Sequence, residues 1–274
     1  KHGVDARLQS CVGGVRCMKQ MLGGEAELAT ATELPVVFNS FARNDFAILT
    51  SFVTTSTDIK ILVRSDAKVR DLSDLKGKRI AYIKGAASQY FLDLALLYHA
   101  IDPANVELKQ TFPESAQTDI ESGLVDAISI WEPFAQQILS ENPGKVIQLK
   151  VPKLYTETFN LISTRSVIQA QPQQIERILL ALRDSCDYIQ KNPEASKKLL
   201  SARLNIPVQL IDRNFFEYRY RLSLTQSLVR TMDGQASWAK REQHVDPSSK
   251  VPNYLKFIEP GPLKAVDPAA VTLR

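Results

Sequence analysis

The sequence predicts an α/β fold built from two like lobes, and two observations carry that reading. Strand-like and helix-like segments alternate from the first residues onward. One pattern also occurs twice: Gly24 to Pro35 and Gly123 to Pro133 each run from a glycine to an acid three positions on. A small or apolar strand follows, then a glutamate nine positions after the glycine, and then proline. A unit used twice implies two similar lobes whose strand ends face one cleft.

The second copy organises the chain. Its apolar residues Val125, Ala127, Ile128 and Ile130, bounded by Gly123 and Pro133, read as a short inner strand. Trp131 and Glu132 fall at its carboxyl end, where ligands bind in open α/β sheets because loops and helix N-termini converge there. Trp131 either offers an indole face to a ligand or fills the core on the hinge side. Glu132 either orients a ligand donor or lends negative charge to the start of the next helix. In the first copy Thr32 and Glu33 take the matching positions.

Taken in order, Val4 to Val12 alternates loosely and reads as a strand. Val15, Met18 and Leu22 then have helical spacing up to the stop at Gly23-Gly24. Ala26 to Ala31 is a strand, and Glu33-Leu34-Pro35 opens a helix. Phe46 to Val53 and Ile59 to Val63 are apolar strands on either side of the hydroxyl cluster Thr54-Thr55-Ser56-Thr57, which is equally a solvated turn or an oxyanion site. A lobe boundary is placed near 64–68. Ile80 to Ile83 is a strand, and Gly85-Ala86-Ala87-Ser88 joins it to a helix with Phe91, Leu94, Ala95 and Tyr98 inside. Small residues there let a ligand approach the backbone, although the same turn is ordinary capping chemistry; Ser88 and the adjoining Gln89 are carried as candidates.

Val106 to Leu108 is a further strand. Thr111-Phe112-Pro113-Glu114 matches a capping box for a helix running to Gly123. Phe134 to Leu139 is helical, and Val146 to Leu149 and Thr158 to Ser163 are strands. Pro172 to Asn192 is a long amphipathic helix, with Ala195 to Arg203 and Val208 to Arg221 helical after it. The proline-rich tail from Val245 is an ordered wrap with one short helix near 252–257.

With 34 basic and 30 acidic residues interspersed along the chain, the net charge of +4 does not imply nucleic-acid binding. Cys11, Cys17 and Cys186 lack metal-ligand spacing and are read as packing cysteines. The Gly85 to Ser88 turn lacks the spacing of a phosphate-binding or dinucleotide loop. No cofactor or metal is expected.

In the order of its elements and in several words, the chain resembles the periplasmic substrate-binding proteins of ABC importers for nitrate, sulfonates, taurine and thiamine precursors. Those words are Gly24 to Pro35, Asp74-Leu-Lys-Gly-Lys-Arg-Ile80, Gly85 to Ser88, Ser122-Gly-Leu-Val-Asp126, Trp131-Glu132-Pro133 and Lys191-Asn-Pro-Glu-Ala195. Relatives usually begin with a strand and helix that here lie ahead of Gly3-Val4-Asp5, so the chain is expected to be processed or incomplete at its start. The resemblance implies a type II periplasmic binding protein: two Rossmann-like lobes with a ligand cleft between them. Lobe I would comprise 1–63 and 160–274 and lobe II 64–159, with hinge strands around Leu62 to Ser65 and Thr158 to Ser163.

The implied role is capture of a small anionic or polar solute for an ABC importer permease and its ATPase. The chain would be a monomer in the periplasm, or lipid-anchored on the extracellular face, peripheral to the membrane and without catalysis. The implied ligand-binding residues are Thr32, Glu33, Thr54, Ser88, Gln89, Trp131, Glu132, Phe159 and Asn160. The alternatives are an enzyme like the thiamine-pyrimidine synthases, which use a histidine where this chain has only His2, His99 and His244, or the ligand-sensing domain of a receptor or regulator.

Overall fold

The computed structural model describes residues 2–273. The chain divides into two units, Lys1–Thr55 with Glu157–Arg274, and Ser56–Thr156. The first begins with α1 (Gly14–Leu22), β1 (Leu28–Thr32), α2 (Glu33–Ser40) and β2 (Phe46–Thr55). The second holds β3 (Ile59–Arg64), β4 (Arg79–Tyr82), α3 (Ala87–Tyr98), β5 (Glu107–Gln110), α4 (Ala116–Glu121), β6 (Ala127–Trp131), α5 (Phe134–Glu141) and β7 (Val146–Gln148). The first unit resumes with β8 (Glu157–Thr164), α6 (Arg165–Ala170), α7 (Pro172–Lys191), α8 (Pro193–Leu204), α9 (Val208–Asp212), β9 (Arg219–Ser223), α10 (Gln226–Arg241) and α11 (Gly261–Val266).

In the first unit the sheet order is β1-β8-β2-β9, and each pairing is antiparallel. That arrangement brings the start of β8 beside the carboxyl ends of β1 and β2: Thr32 stands opposite Phe159, and Thr54 opposite Thr158. In the second unit the order is β5-β4-β6-β3-β7, with β4 parallel to β5 and β6 and β3 antiparallel to β6 and β7. Its inner strands β3, β4 and β6 are largely apolar and buried because both faces of the sheet are covered there. Ile59, Ile61, Val63 and Ile80 pack with Phe91, Leu92 and Leu96 of α3. Leu62, Ala81, Ile128 and Ile130 pack with Ile120 of α4 and Ile138 of α5.

Several expectations are corrected. Residues 2–11 form no strand; most are exposed, so there is no buried face to fix a register. The passages between units fall at 55/56 and 156/157, not at 63/64 and 159/160. Leu62 lies inside β3 of the second sheet, and Thr158 to Ser163 lie inside β8 of the first. The helix expected from Thr111-Phe112-Pro113-Glu114 begins later: α4 starts at Ala116 after Ser115, which makes no side-chain cap bond, and the Thr111 hydroxyl donates to Asp119.

The segment Val208 to Arg221 contains two periodicities, a helix of five residues and then the alternating strand β9, which pairs with β2. Cys11 and Cys17 are not separate packing residues but form a disulfide, with Cα atoms 5.5 Å apart. Cys186 is free and buried, and burial pushes its thiol up to about 11. Among the described residues no helix is long and apolar enough to cross a membrane.

Candidate functional site

Five of the sequence-predicted residues gather at one end of the first unit's sheet. Glu33 is the first residue of α2 and is fully buried. One carboxylate oxygen accepts from the Thr158 amide at 3.0 Å and from its hydroxyl at 2.9 Å; the other accepts from Gln235 Nε2 at 3.1 Å. Asn160, also fully buried, donates from Nδ2 to the Thr158 hydroxyl at 3.1 Å and accepts from the Ser51 hydroxyl at 2.7 Å. These bonds link Gln235, Glu33, Thr158, Asn160 and Ser51 into one chain of polar groups sealed in the protein.

Burial raises the Glu33 pKa, against the lowering effect of those hydrogen bonds, because a charge without a counter-ion is costly out of water. The Gln235 side-chain oxygen has no partner, and reversing that amide would present it to a protonated Glu33. Thr32 and Phe159 are half-buried neighbours across β1 and β8, and Thr54 is half-buried on β2. Thr32 precedes α2 but makes no side-chain cap bond.

The remaining four lie in the second unit. Ser88 and Gln89 are in the first turn of α3, which has no side-chain cap and no acid at its start. The Gln89 side-chain oxygen accepts from the Gly85 amide at 2.8 Å and so shapes the turn. Ser88 is fully buried and its hydroxyl has no partner, while its carbonyl accepts from the Ser129 hydroxyl of β6 at 2.8 Å. Trp131, the last residue of β6, is half-buried against both apolar layers of this unit and meets Phe134 edge-on at 6.1 Å.

Glu132 accepts from the Gln136 amide at 3.0 Å, which places it as a cap on α5, and lies 3.9 Å from the Lys60 ammonium. Lys60 also donates to the Thr57 carbonyl, at the end of the hydroxyl cluster.

Sequence reasoning missed Ser51, Thr158 and Gln235 in the first unit, and Lys60, Ser129 and Gln136 in the second. Lys60 carried a signal, a lone cation inside the apolar run Ile59-Lys60-Ile61. So did Gln235, because Leu228, Val229, Met232, Gln235, Ala236 and Ala239 share the buried side of α10, a helix interrupted in sequence by Gly234.

The family words also prove architectural. Asp126 clamps Arg79 through Oδ1 to Nη2 at 2.6 Å and Oδ2 to Nε at 3.1 Å, and this pairing lowers its pKa. Gly123 has φ 76°, and a Cβ there would stand 1.9 Å from the Arg64 guanidinium. Asp71 and Asp74 form a reciprocal capping box.

Among the described residues no group of three His, Cys, Asp or Glu side chains is placed to hold a metal ion. The histidines have separate engagements: His2 pairs with Asp184 at 2.9 Å, His99 follows α3 with its ring against Tyr98, and His244 meets Trp238 at a tilt, ring centroids 4.7 Å apart.

Comparison with known proteins gives the chain's family and fold. Residues 1–196 match the family described as NMT1/THI5 like. A protein of Escherichia coli K12 named as an aliphatic sulfonates-binding protein is 22% identical over 198 residues, 72% of this chain. The chain spans less than two thirds of that relative's length, 62%. The alkanesulfonate-binding protein SsuA from Xanthomonas axonopodis pv. citri, solved bound to MOPS, superposes with TM-score 0.79 at 20% identity over 90% of this chain and 85% of its own. The desulfurization enzyme DSZB superposes with TM-score 0.66 at 14% identity, covering 88% of this chain and 85% of its own. At these identities the structural likenesses establish the fold, the α/β periplasmic binding protein fold with two sheets, which serves a binding protein and an enzyme alike. On the family match over residues 1–196, the chain belongs to the NMT1/THI5 like family.

Proposed function

We propose that the chain is the solute-binding component of an ABC importer, capturing a small anionic solute of the sulfonate class and delivering it to a permease and its ATPase. The observation that carries this reading is the start of α3. Its first amides have no side-chain cap and no acid beside them, and the Ser88 hydroxyl is buried without a partner. Such a helix start favours an anion through its dipole and its unpaired N–H groups.

The candidate binding residues are, in the second unit, Ser88, Gln89, Trp131 and Glu132 and, taken separately, Thr32, Glu33, Thr54, Phe159 and Asn160 in the first. Thr32, Thr54, Trp131, Glu132 and Phe159 are the half-buried ones, and the buried Glu33, Asn160 and Gln89 act as supports within their own units. The names of the relatives support sulfonate as the ligand class, and the Cys11–Cys17 disulfide supports an oxidising compartment outside the cytoplasm.

The test is a thermal-shift screen with MOPS, ethanesulfonate, taurine, nitrate and a pyrimidine, followed by calorimetry on Trp131→Ala and Ser88→Ala. A sulfonate should raise the melting temperature, and Trp131→Ala should weaken its binding by about tenfold. No stabilisation by any sulfonate removes the ligand class. Conversion of a bound probe to a new product, seen by mass spectrometry, replaces transport with catalysis.

A further inference from the structure

We propose that the Cys11–Cys17 disulfide is a positioning bridge for ligand binding, closing the Gly13-Gly14 turn through which the start of α1 packs on the end of β1, so that reduction of the bridge weakens capture of the solute. The inference rests on the functional reading above. Its basis is the loop Cys11-Val-Gly-Gly-Val-Arg-Cys17, which contains the turn into α1. Gly13 has φ 77° just before the helix, and α1 has neither a side-chain cap nor an acid in its first turn. Gly14 is pressed onto the strand end: a Cβ there would lie 2.8 Å from the Ala31 Cβ, 2.9 Å from the Ala31 Cα and 3.3 Å from the Thr32 amide nitrogen.

An uncapped helix start, a tight glycine contact and the candidate residue Thr32 therefore occupy one place. The chain leading to it, residues 2–11, has no regular structure and is largely exposed. The bridge is what ties that strand-less segment to the helix at this point, from half-buried Cys11 to buried Cys17. Two adjacent glycines give the backbone many alternative conformations, and a cross-link that closes the loop removes most of them.

Opening the bridge is ordinary thiol–disulfide exchange. A dithiol reductant such as dithiothreitol supplies two electrons and two protons and leaves as its own disulfide, while the S–S bond becomes two thiols. A disulfide oxidant reverses the step. The loop must then be ordered by the ligand itself, at the expense of affinity.

The experiment uses the whole chain, oxidised and then reduced, with Cys11→Ser as a second variant. Thiol titration of the denatured, unreduced protein should count one thiol, Cys186; three thiols overturn the bridge. Calorimetry with MOPS should show affinity about tenfold weaker after reduction and in Cys11→Ser. Equal affinity overturns the proposal while leaving the functional reading intact. If the oxidised protein binds no sulfonate, the functional reading fails and amide hydrogen exchange decides the bridge. Reduction should speed exchange in 12–18 and at Thr32 and leave the second unit unchanged, and unchanged exchange in 12–18 overturns it.

Discussion

Glu33 and Glu132 occupy the same place in a repeated word, at the end of a strand and the start of a helix, and the protein treats them in opposite ways. Glu132 lies 3.9 Å from the Lys60 ammonium and accepts from the Gln136 amide, its own side chain and that of Lys60 each 9% exposed. Glu33 has three neutral donors and, among the described residues, no cation paired with it. The difference lies outside the word. In the second unit β3 brings a lysine to the strand end; in the first, β8 and α10 bring a threonine and a glutamine. Equal sequence positions thus acquire unequal electrostatic surroundings from whatever the rest of the unit packs against them.

The sharpest way to break this comparison is Glu33→Ala. It strands the Thr158 amide and hydroxyl and the Gln235 amide inside the protein, and an unsatisfied buried donor costs about 1–3 kcal/mol. We expect a loss of roughly 3–5 kcal/mol. It can be read in urea from Trp238 fluorescence in a Trp131→Phe background, since Trp238 is buried in the same unit. A loss under about 1 kcal/mol would mean that water replaces the carboxylate.

The glycines that begin the two words should also separate. Both have positive φ, 82° at Gly24 and 76° at Gly123, but only at Gly123 would an added Cβ strike a neighbour, the Arg64 guanidinium. Gly24→Ala should cost about 1 kcal/mol through backbone conformation alone, and Gly123→Ala roughly 2 kcal/mol. Equal midpoint shifts would mean that Arg64 swings aside freely.

The smallest effects come from replacing each acid by its amide. Glu132→Gln keeps an acceptor for the Gln136 amide but loses the attraction to Lys60, about 1 kcal/mol. Glu33→Gln should change stability at neutral pH by no more than about 0.5 kcal/mol, because the unpartnered Gln235 oxygen can turn to meet the new amide. The pH dependence distinguishes them further. Burial raises the Glu33 pKa above its ordinary 4.5, so the native state holds this proton more tightly than the unfolded chain does. The resulting stability is complete below that value and is lost as the pH rises through the folded pKa. In Glu33→Gln that decline should be absent from urea midpoints measured across the range, and an unchanged slope would assign it to another group.

Much of the architecture was legible because it is written in local rules. Gly23-Gly24 ends α1, proline follows the strand ends of both repeated words, and the apolar runs of β2, β3 and β6 are continuous. Legibility failed where two periods adjoin, as at Val208 to Arg221, and where the deciding partner is remote. Glu33 and Gln235 are 202 residues apart, and no local pattern relates them. Thr158 was passed over beside Phe159 and Asn160 because a threonine in a strand ordinarily needs no explanation beyond its propensity. The two cysteines were spaced for neither a metal nor a familiar framework, and their pairing depended on how the Gly13 turn folds back.

By itself the sequence determined the fold class, the repeated strand-to-helix unit and most element boundaries, since these follow from hydrophobic period, glycine and proline. Only the tertiary structure decided which strands share a sheet, where the chain passes between units, that Cys11 meets Cys17, and that one glutamate keeps a lysine while its counterpart is sealed among neutral donors. The physical reason is range. Backbone preferences act over a few residues, whereas a buried charge is set by the groups that packing brings within about 4 Å, wherever in the chain they lie.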